Sequence, residues 1–244
     1  MKFKYTLPRA LILMLLFATF FNTKPLHADN SSVRHKAYVY TELQFAPVFQ
    51  DVPWEDMNPN LKKIPGLLSK TWLSGTDNSP GGFYVFDTIE HAQNFVRDVF
   101  PKEAASFGVA QTTRIFDAEQ TEKASRDMGS VYYFGPNGQE PGAFVYTEVQ
   151  INALPFDQKV NWLERNPVLK TQPGLLSKTW LSGQNTGTVG GFYAFDSLEN
   201  AKKFAIEVFP ESIKDLNAAF YTRVFDANIT RNASIDMGSL YYKH

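Results

Sequence analysis

From residue 38 to residue 45 the side chains alternate in character. Val39, Leu43 and Phe45 form an apolar set, and Tyr40, Glu42 and Gln44 form the opposite set. The spacing predicts a strand over 38–45, with the apolar set turned toward helices. Residues 53–63 read as a helix stopped by Ile64-Pro65-Gly66. Residues 67–74 and 83–86 are expected strands, joined by a turn-rich stretch over 74–82. Asp87 is the expected cap of a helix over 88–100, with Ile89, Ala92, Phe95, Val96 and Val99 on one face and Pro101 beyond its end. A fourth strand is expected over 109–116 and a short further one over 130–133, after Met128-Gly129. The order β-α-β-β-α-β is the ferredoxin-like unit.

The same pattern then returns. Residues 65–75, Pro-Gly-Leu-Leu-Ser-Lys-Thr-Trp-Leu-Ser-Gly, recur unchanged at 173–183. Gly81-Gly82-Phe83-Tyr84 returns as Gly190-Gly191-Phe192-Tyr193, and Asp127-Met128-Gly129-Ser130 as Asp236-Met237-Gly238-Ser239. The period of 106 to 109 residues is domain-sized, so the chain reads as a tandem duplication and not a solenoid. The expected boundaries are 29–134 for the first copy, 135–142 for a Gly/Pro-rich linker and 143–244 for the second copy. A sheet with helices on one face leaves the other face bare, and two copies can cover each other. The expected fold class is therefore α+β. Two tandem ferredoxin-like domains pack sheet to sheet as an intramolecular dimeric α+β barrel, with a pocket in its interior.

Residues 1–28 break the pattern. Lys2, Lys4 and Arg9 precede a mostly apolar run over 10–21, and Leu26-His27-Ala28 offers a cleavage site. This reads as a secretory signal, since twelve residues fall short of the roughly 20 that span a bilayer. The expected mature chain is exported, periplasmic or secreted, with no stable membrane insertion. It lacks four of the chain's 24 basic residues and none of its 25 acidic ones, leaving a net charge of −5. That balance argues against nucleic acid as a partner. With no cysteine, disulfides, thiolate metal sites and cysteine catalysis are excluded.

Candidate chemistry follows from the alternation. Tyr40 and Glu42 share a face, as do Tyr146 and Glu148; Lys70 shares one with Trp72, and Lys178 with Trp180. Tyr84 and Tyr193 lie on the third strand of each copy, Arg114 and Arg223 on the fourth. Plainer roles stand beside each of these. The tryptophans can be interface core, Lys70 can pair with Glu42, and Arg114 can pair with Asp117. The Asp-Met-Gly-Ser motif can be a helix end with a left-handed Gly, and Gly81-Gly82 a turn into a strand. The histidines, at 27, 35, 91 and 244, have no metal-ligand spacing and supply no Ser-His-acid triad. No G-x-G-x-x-G or Walker loop is present, so no cofactor is expected.

The Pro-Gly, Lys-x-Trp, Gly-Gly-x-Tyr and Phe-Asp elements fall on Pro65-Gly66, Lys70 and Trp72, Gly81 to Tyr84, and Phe116-Asp117, and again in the second copy. In order and spacing they resemble the YdhR family of monooxygenase-like proteins, which are dimeric α+β barrels. The resemblance implies that the fused copies replace the family's homodimer, giving a monomer with an internal pseudo-dimer. It implies cofactor-independent oxidation of a small aromatic or polycyclic substrate. Lys70, Lys178, Arg114 and Arg223 would stabilise a phenolate or enolate. Tyr40, Glu42, Trp72, Tyr84, Tyr146, Glu148, Trp180 and Tyr193 would hold the substrate. The alternative is a non-catalytic extracytoplasmic protein that binds a small aromatic or hydrophobic molecule, or acts as an interaction scaffold.

Overall fold

Each copy forms a four-stranded antiparallel sheet. In the first, β1 (Ala37–Leu43), β2 (Leu67–Ser74), β3 (Pro80–Phe86) and β4 (Gln111–Asp117) stand in the order β2-β3-β1-β4. In the second, β5 (Ala143–Gln150), β6 (Leu175–Ser182), β7 (Thr188–Phe195) and β8 (Phe220–Asp226) repeat that order as β6-β7-β5-β8. These coordinates are a computed structural model that describes residues 35–44, 48–151 and 156–243. The expected signal segment, Phe45, His27 and His244 lie outside the described residues. The fold is the expected one: α+β, two ferredoxin-like copies packed sheet to sheet.

The two sheets close into an eight-stranded body. Phe116 bridges to Gly183 and Gly75 to Phe225, so the edge of each sheet meets the edge of the other. Gln184 N–H donates to the Ile115 carbonyl at 2.8 Å, and Thr76 N–H to the Val224 carbonyl at 3.0 Å. Large aromatics fill the middle of the space between the sheets, where the sequence led to the expectation of a pocket. Tyr40 stacks on Tyr146 at 4.0 Å between centroids, and Phe83 on Phe192 at 4.3 Å. Tyr38, Phe116, Phe144 and Phe225 complete this layer, all buried. An eight-stranded barrel has an interior that side chains can fill, and inward residues of this size take up its middle.

The outer edges of β2 and β6 are covered by the opposite copy. The Lys70 N–H donates to the Met237 carbonyl at 3.2 Å, and the Trp72 N–H to Ser234 Oγ at 2.9 Å. Lys178 and Trp180 do the same toward Met128 and Ser125. Ser234 lies on α10 (Ala227–Asp236) and Ser125 on α4 (Glu122–Asp127). Each edge strand thus has two of its outward donors satisfied, which blunts a site for unwanted pairing. The Asp-Met-Gly-Ser motif does end a helix with a left-handed Gly, at φ 66° for Gly129 and 69° for Gly238. It also locks the copies together, since Ser130 and Ser239 hydrogen-bond to Thr179 and Thr71.

Several local expectations are corrected. Residues 131–134 form a helical turn, α5 (Val131–Phe134), and not a strand. Their aromatic content, which favours strands in isolation, serves packing of Tyr132 against Tyr38 and Phe83. Thr88, not Asp87, caps α2 (Ile89–Asn94) by accepting the His91 N–H. Asp87 instead holds the His91 ring at 2.7 Å, and Asp196 holds Asn200 in the same way. Pro101 does not lie beyond the helix. A π-turn over Phe95–Val99 absorbs the proline's missing N–H and leads into α3 (Phe100–Phe107). The second copy repeats this with α8 (Leu198–Lys203), a π-turn over Phe204–Val208 and α9 (Phe209–Ile213).

Candidate functional site

Register divides the sequence-derived site into two places. Val39 stands opposite Tyr84, and Tyr84 opposite Lys70. Residues in one such row share a face of the sheet. That row, with Trp72 two residues on, therefore faces the helices. Tyr40 stands opposite Arg114, and Glu42 lies two residues further on the same, inter-sheet face. A bulge at Leu68 precedes Lys70 and leaves the later alternation intact.

On the inter-sheet face the charged groups pair across the copies. Arg114 Nε donates to both Glu148 oxygens at 3.0 and 3.1 Å, and Arg223 does the same to Glu42 at 3.1 and 3.0 Å. Tyr40 and Tyr146 donate to Glu42 and Glu148 respectively. Arg223 also pairs with Asp77 at 2.7 Å, and Tyr221 donates to Glu42. Hydrogen bonding to Glu42 raises the Arg223 pKa, so this guanidinium stays charged. Burial and the neighbouring carboxylates keep the Tyr40 and Tyr146 hydroxyls protonated. Glu42 thus pairs with Arg223 and not Lys70, because β3 stands between β1 and β2. Arg114 pairs with Glu148 of the other copy and not with Asp117. Tyr40, Arg114, Tyr146, Glu148 and Tyr221 border a cleft of about 260 Å³ between the sheets.

On the helix face of the second copy lies a larger cavity, of about 560 Å³. That volume suits a small organic ligand. Lys178, Trp180 and Tyr193 form its floor, and Val149, Val160 and Phe209 its apolar wall. Lys178 Nζ lies 2.8 Å from the centroid of the Trp180 ring and 4.8 Å from that of Tyr193. Gly191 makes this possible, since a Cβ there would collide with the Lys178 stem and the Tyr193 ring. The Gly-Gly pair is thus inside a strand, not in a turn before it. Lys178 is 1 % exposed and forms no ion pair with any described residue. Burial first, and the Arg165 charge second, push its pKa well below the usual lysine value. Burial raises the Tyr193 pKa, so its hydroxyl stays a donor. Thr147, in the cavity wall, places its buried hydroxyl beside that of Tyr193.

The first copy has the same floor but hardly any space. Its cavity is about 30 Å³, room for about one water. Lys70 Nζ lies 2.7 Å from the Trp72 centroid, and Glu103 faces it across the cavity. Burial lowers the Lys70 pKa and raises that of Glu103, and each charge partly restores the other. Aligned by the repeat, Glu103 and Phe107 give way to Ser212 and Leu216 in the second copy, which are smaller. Met57 gives way to Arg165. The second cavity is thus both larger and richer in positive charge.

Four functional neighbours were not singled out from the sequence. The Trp72 and Trp180 indoles donate to Asn58 and Asn166 at 2.9 and 2.8 Å. Those asparagines lie on α1 (Trp54–Leu61) and on α7 (Trp162–Lys170), which follows the short α6 (Phe156–Lys159), and in turn donate to the opposite copy's Asp236 and Asp127. The repeated Asn-Pro pair, Asn58-Pro59 and Asn166-Pro167, was the available signal. Arg165 and Ser212 could have been found at positions where the copies differ. Among the described residues, no cluster of three His, Asp or Glu side chains could hold a metal ion. Nor is any described helix long and apolar enough to cross a membrane.

Residues 46–127 match the family model described as "Putative mono-oxygenase ydhR". The matched stretch contains the Pro-Gly, Lys-x-Trp, Gly-Gly-x-Tyr and Phe-Asp elements, so the resemblance drawn from them is borne out in the first copy. Among solved structures, an anthrone oxidase-like protein superposes with a TM-score of 0.54 at 15% identity, covering 79% of this chain and 91% of that one. A protein described as a "putative monooxygenase" from Lactobacillus acidophilus gives a TM-score of 0.46 at 10% identity, covering 78% and 93%. At these identities the likeness is one of fold. No protein of curated function matches the sequence.

Proposed function

We propose that the chain is a monooxygenase-like enzyme that oxidises a small aromatic or polycyclic phenol in the second copy's cavity, without a cofactor. The observation that carries this reading is Lys178, a buried amine with no ion-pair partner among the described residues, on the floor of a 560 Å³ aromatic-walled cavity. A neutral amine there can take a proton from an acidic C–H or O–H of the substrate. Arg165 then faces the resulting enolate, and the Tyr193 hydroxyl can donate to its oxygen. Oxygen adds to the activated carbon to give a hydroperoxide, with the proton returned from Lys178. Loss of water leaves a ketone. A CH₂ group and O₂ thus become C=O and H₂O, and the substrate supplies all four electrons.

This narrows the residue set drawn from the sequence. Lys178, Trp180 and Tyr193 remain at the centre. Lys70, Trp72 and Tyr84 form the closed counterpart. Arg114, Arg223, Glu42, Glu148, Tyr40 and Tyr146 hold the two sheets together. The test is oxygen uptake with a polycyclic phenol bearing an activated CH₂ group. Wild type should consume one O₂ per ketone formed, and Lys178→Met should lose that turnover. Equal turnover by the variant would overturn the assignment, and tight binding without oxygen uptake would favour the binding-protein reading. Export remains part of the proposal, on the strength of residues 1–28.

A further inference from the structure

A lysine that neither pairs with a carboxylate nor reaches bulk water is a nucleophile as well as a base. Three features of the second cavity bear on this. Lys178 is fixed by the Trp180 and Tyr193 rings, so its amine is held at the cavity floor. The titratable groups bordering the same space are Lys159, Glu164, Arg165 and Tyr193. Glu164 is exposed and makes no ion pair with Lys178, while Arg165 disfavours a second positive charge. Finally, the Thr147 hydroxyl borders the same cavity beside that of Tyr193, so the two together can meet a polar atom of a ligand. The closed first cavity offers Lys70 neither the space nor freedom from a facing carboxylate.

We propose that Lys178 captures aromatic aldehydes and ketones as an imine in the second cavity. The inference rests on the same cavity as the proposed oxidation and adds a second ligand class to it. The amine nitrogen adds to the carbonyl carbon, giving a carbinolamine. The hydroxyl of that intermediate leaves as water, taking a proton through the hydrogen bond from Tyr193, which recovers it from nitrogen. One C=N bond and one water are formed, and no oxidant or reductant is consumed. Trp180, Phe209 and Val149 supply flat apolar walls for an aromatic ring.

The experiment uses the whole chain under argon, with 4-hydroxybenzaldehyde and cyanoborohydride, read by intact mass and peptide mapping. The expected result is one reduced adduct per chain, on Lys178, forming at least about tenfold faster than on any exposed lysine, because its amine is held unprotonated in the cavity. Lys70 in the same molecule is the internal control and should stay unmodified. Lys178→His keeps a base in the cavity but cannot form this adduct, and should lose the fast labelling. Labelling spread evenly over the surface lysines, or preferring Lys70, would overturn the proposal. Because oxygen is excluded, an adduct without aerobic turnover sinks the oxidation alone, and turnover without an adduct sinks the imine alone.

Discussion

Lys178 Nζ sits 2.8 Å from the centre of the Trp180 ring, with no carboxylate of a described residue in ion-pair contact. The ring face attracts a cation, but by only about 0.5–2 kcal/mol, which does not repay the loss of water around a buried ammonium. The arrangement therefore favours the neutral amine, as the lowered pKa indicates.

That has a stability consequence. The unfolded chain binds a proton at this lysine over a wider pH range than the folded one. Stability therefore rises with pH from the folded pKa to the usual value of 10.5, and the cost is full below the folded pKa. Lys178→Met should raise the stability at pH 7, and with it the melting temperature, by about 1.4 kcal/mol for each unit of pKa depression that lies above pH 7. The gain should vanish near the unfolded pKa. Thermal denaturation of both proteins across pH tests this, and a variant less stable than wild type at pH 7 would contradict it.

Arg165→Met copies the first repeat's Met57. Removing the neighbouring charge lets Lys178 hold its proton to higher pH. The acid limb of the turnover profile should move to higher pH, while the fully deprotonated rate falls less than it does in Lys178→Met. An unmoved limb would show that Arg165 does not act through Lys178.

Ligand stoichiometry should follow cavity volume. Wild type should bind one aromatic phenol per chain, in the 560 Å³ cavity and not the 30 Å³ one. Ser212→Glu with Leu216→Phe should abolish binding by rebuilding the closed copy. Titration calorimetry reads both proteins, and circular dichroism checks that the double variant keeps its fold.

Asn58→Ala would strand the buried Trp72 indole N–H and break the link to Asp236. A lost buried partner costs about 1–3 kcal/mol. Asn166→Ala should cost a similar amount through Trp180 and Asp127. Urea midpoints of the two single variants test the equivalence of the copies in structure, even where they differ in cavity.

Much of the architecture was legible in alternation and repetition. Val39 and Tyr40 were assigned to their correct faces from spacing alone, and the identical 65–75 and 173–183 segments became matching strands. What alternation cannot supply is the offset between strands. Lys70 and Glu42 were read as neighbours on one wall, whereas β3 separates their strands and the register turns them to opposite faces. The filled barrel was hidden for a related reason, since whether Tyr40 lines a hole or stacks on Tyr146 depends on how closely two sheets approach. The open cavity depended on differences at Met57/Arg165, Glu103/Ser212 and Phe107/Leu216, which weigh little when the repeat is read for its identities.

The exchanged edge cover carries a consequence for synthesis. Ser125, which closes β6, precedes Trp180 by 55 residues, whereas Ser234, which closes β2, follows Trp72 by 162. As the chain emerges from a ribosome, the cover for the second copy's edge exists before that edge does. The first copy's edge must wait for nearly the whole polypeptide, with its donors open throughout. Released chains that end at residue 226, after β8 and before the last helix, should therefore hold the β6 edge protected while β2 stays cleavable. Release of the last helix completes the first copy, so the oldest part of the molecule is the last to become native.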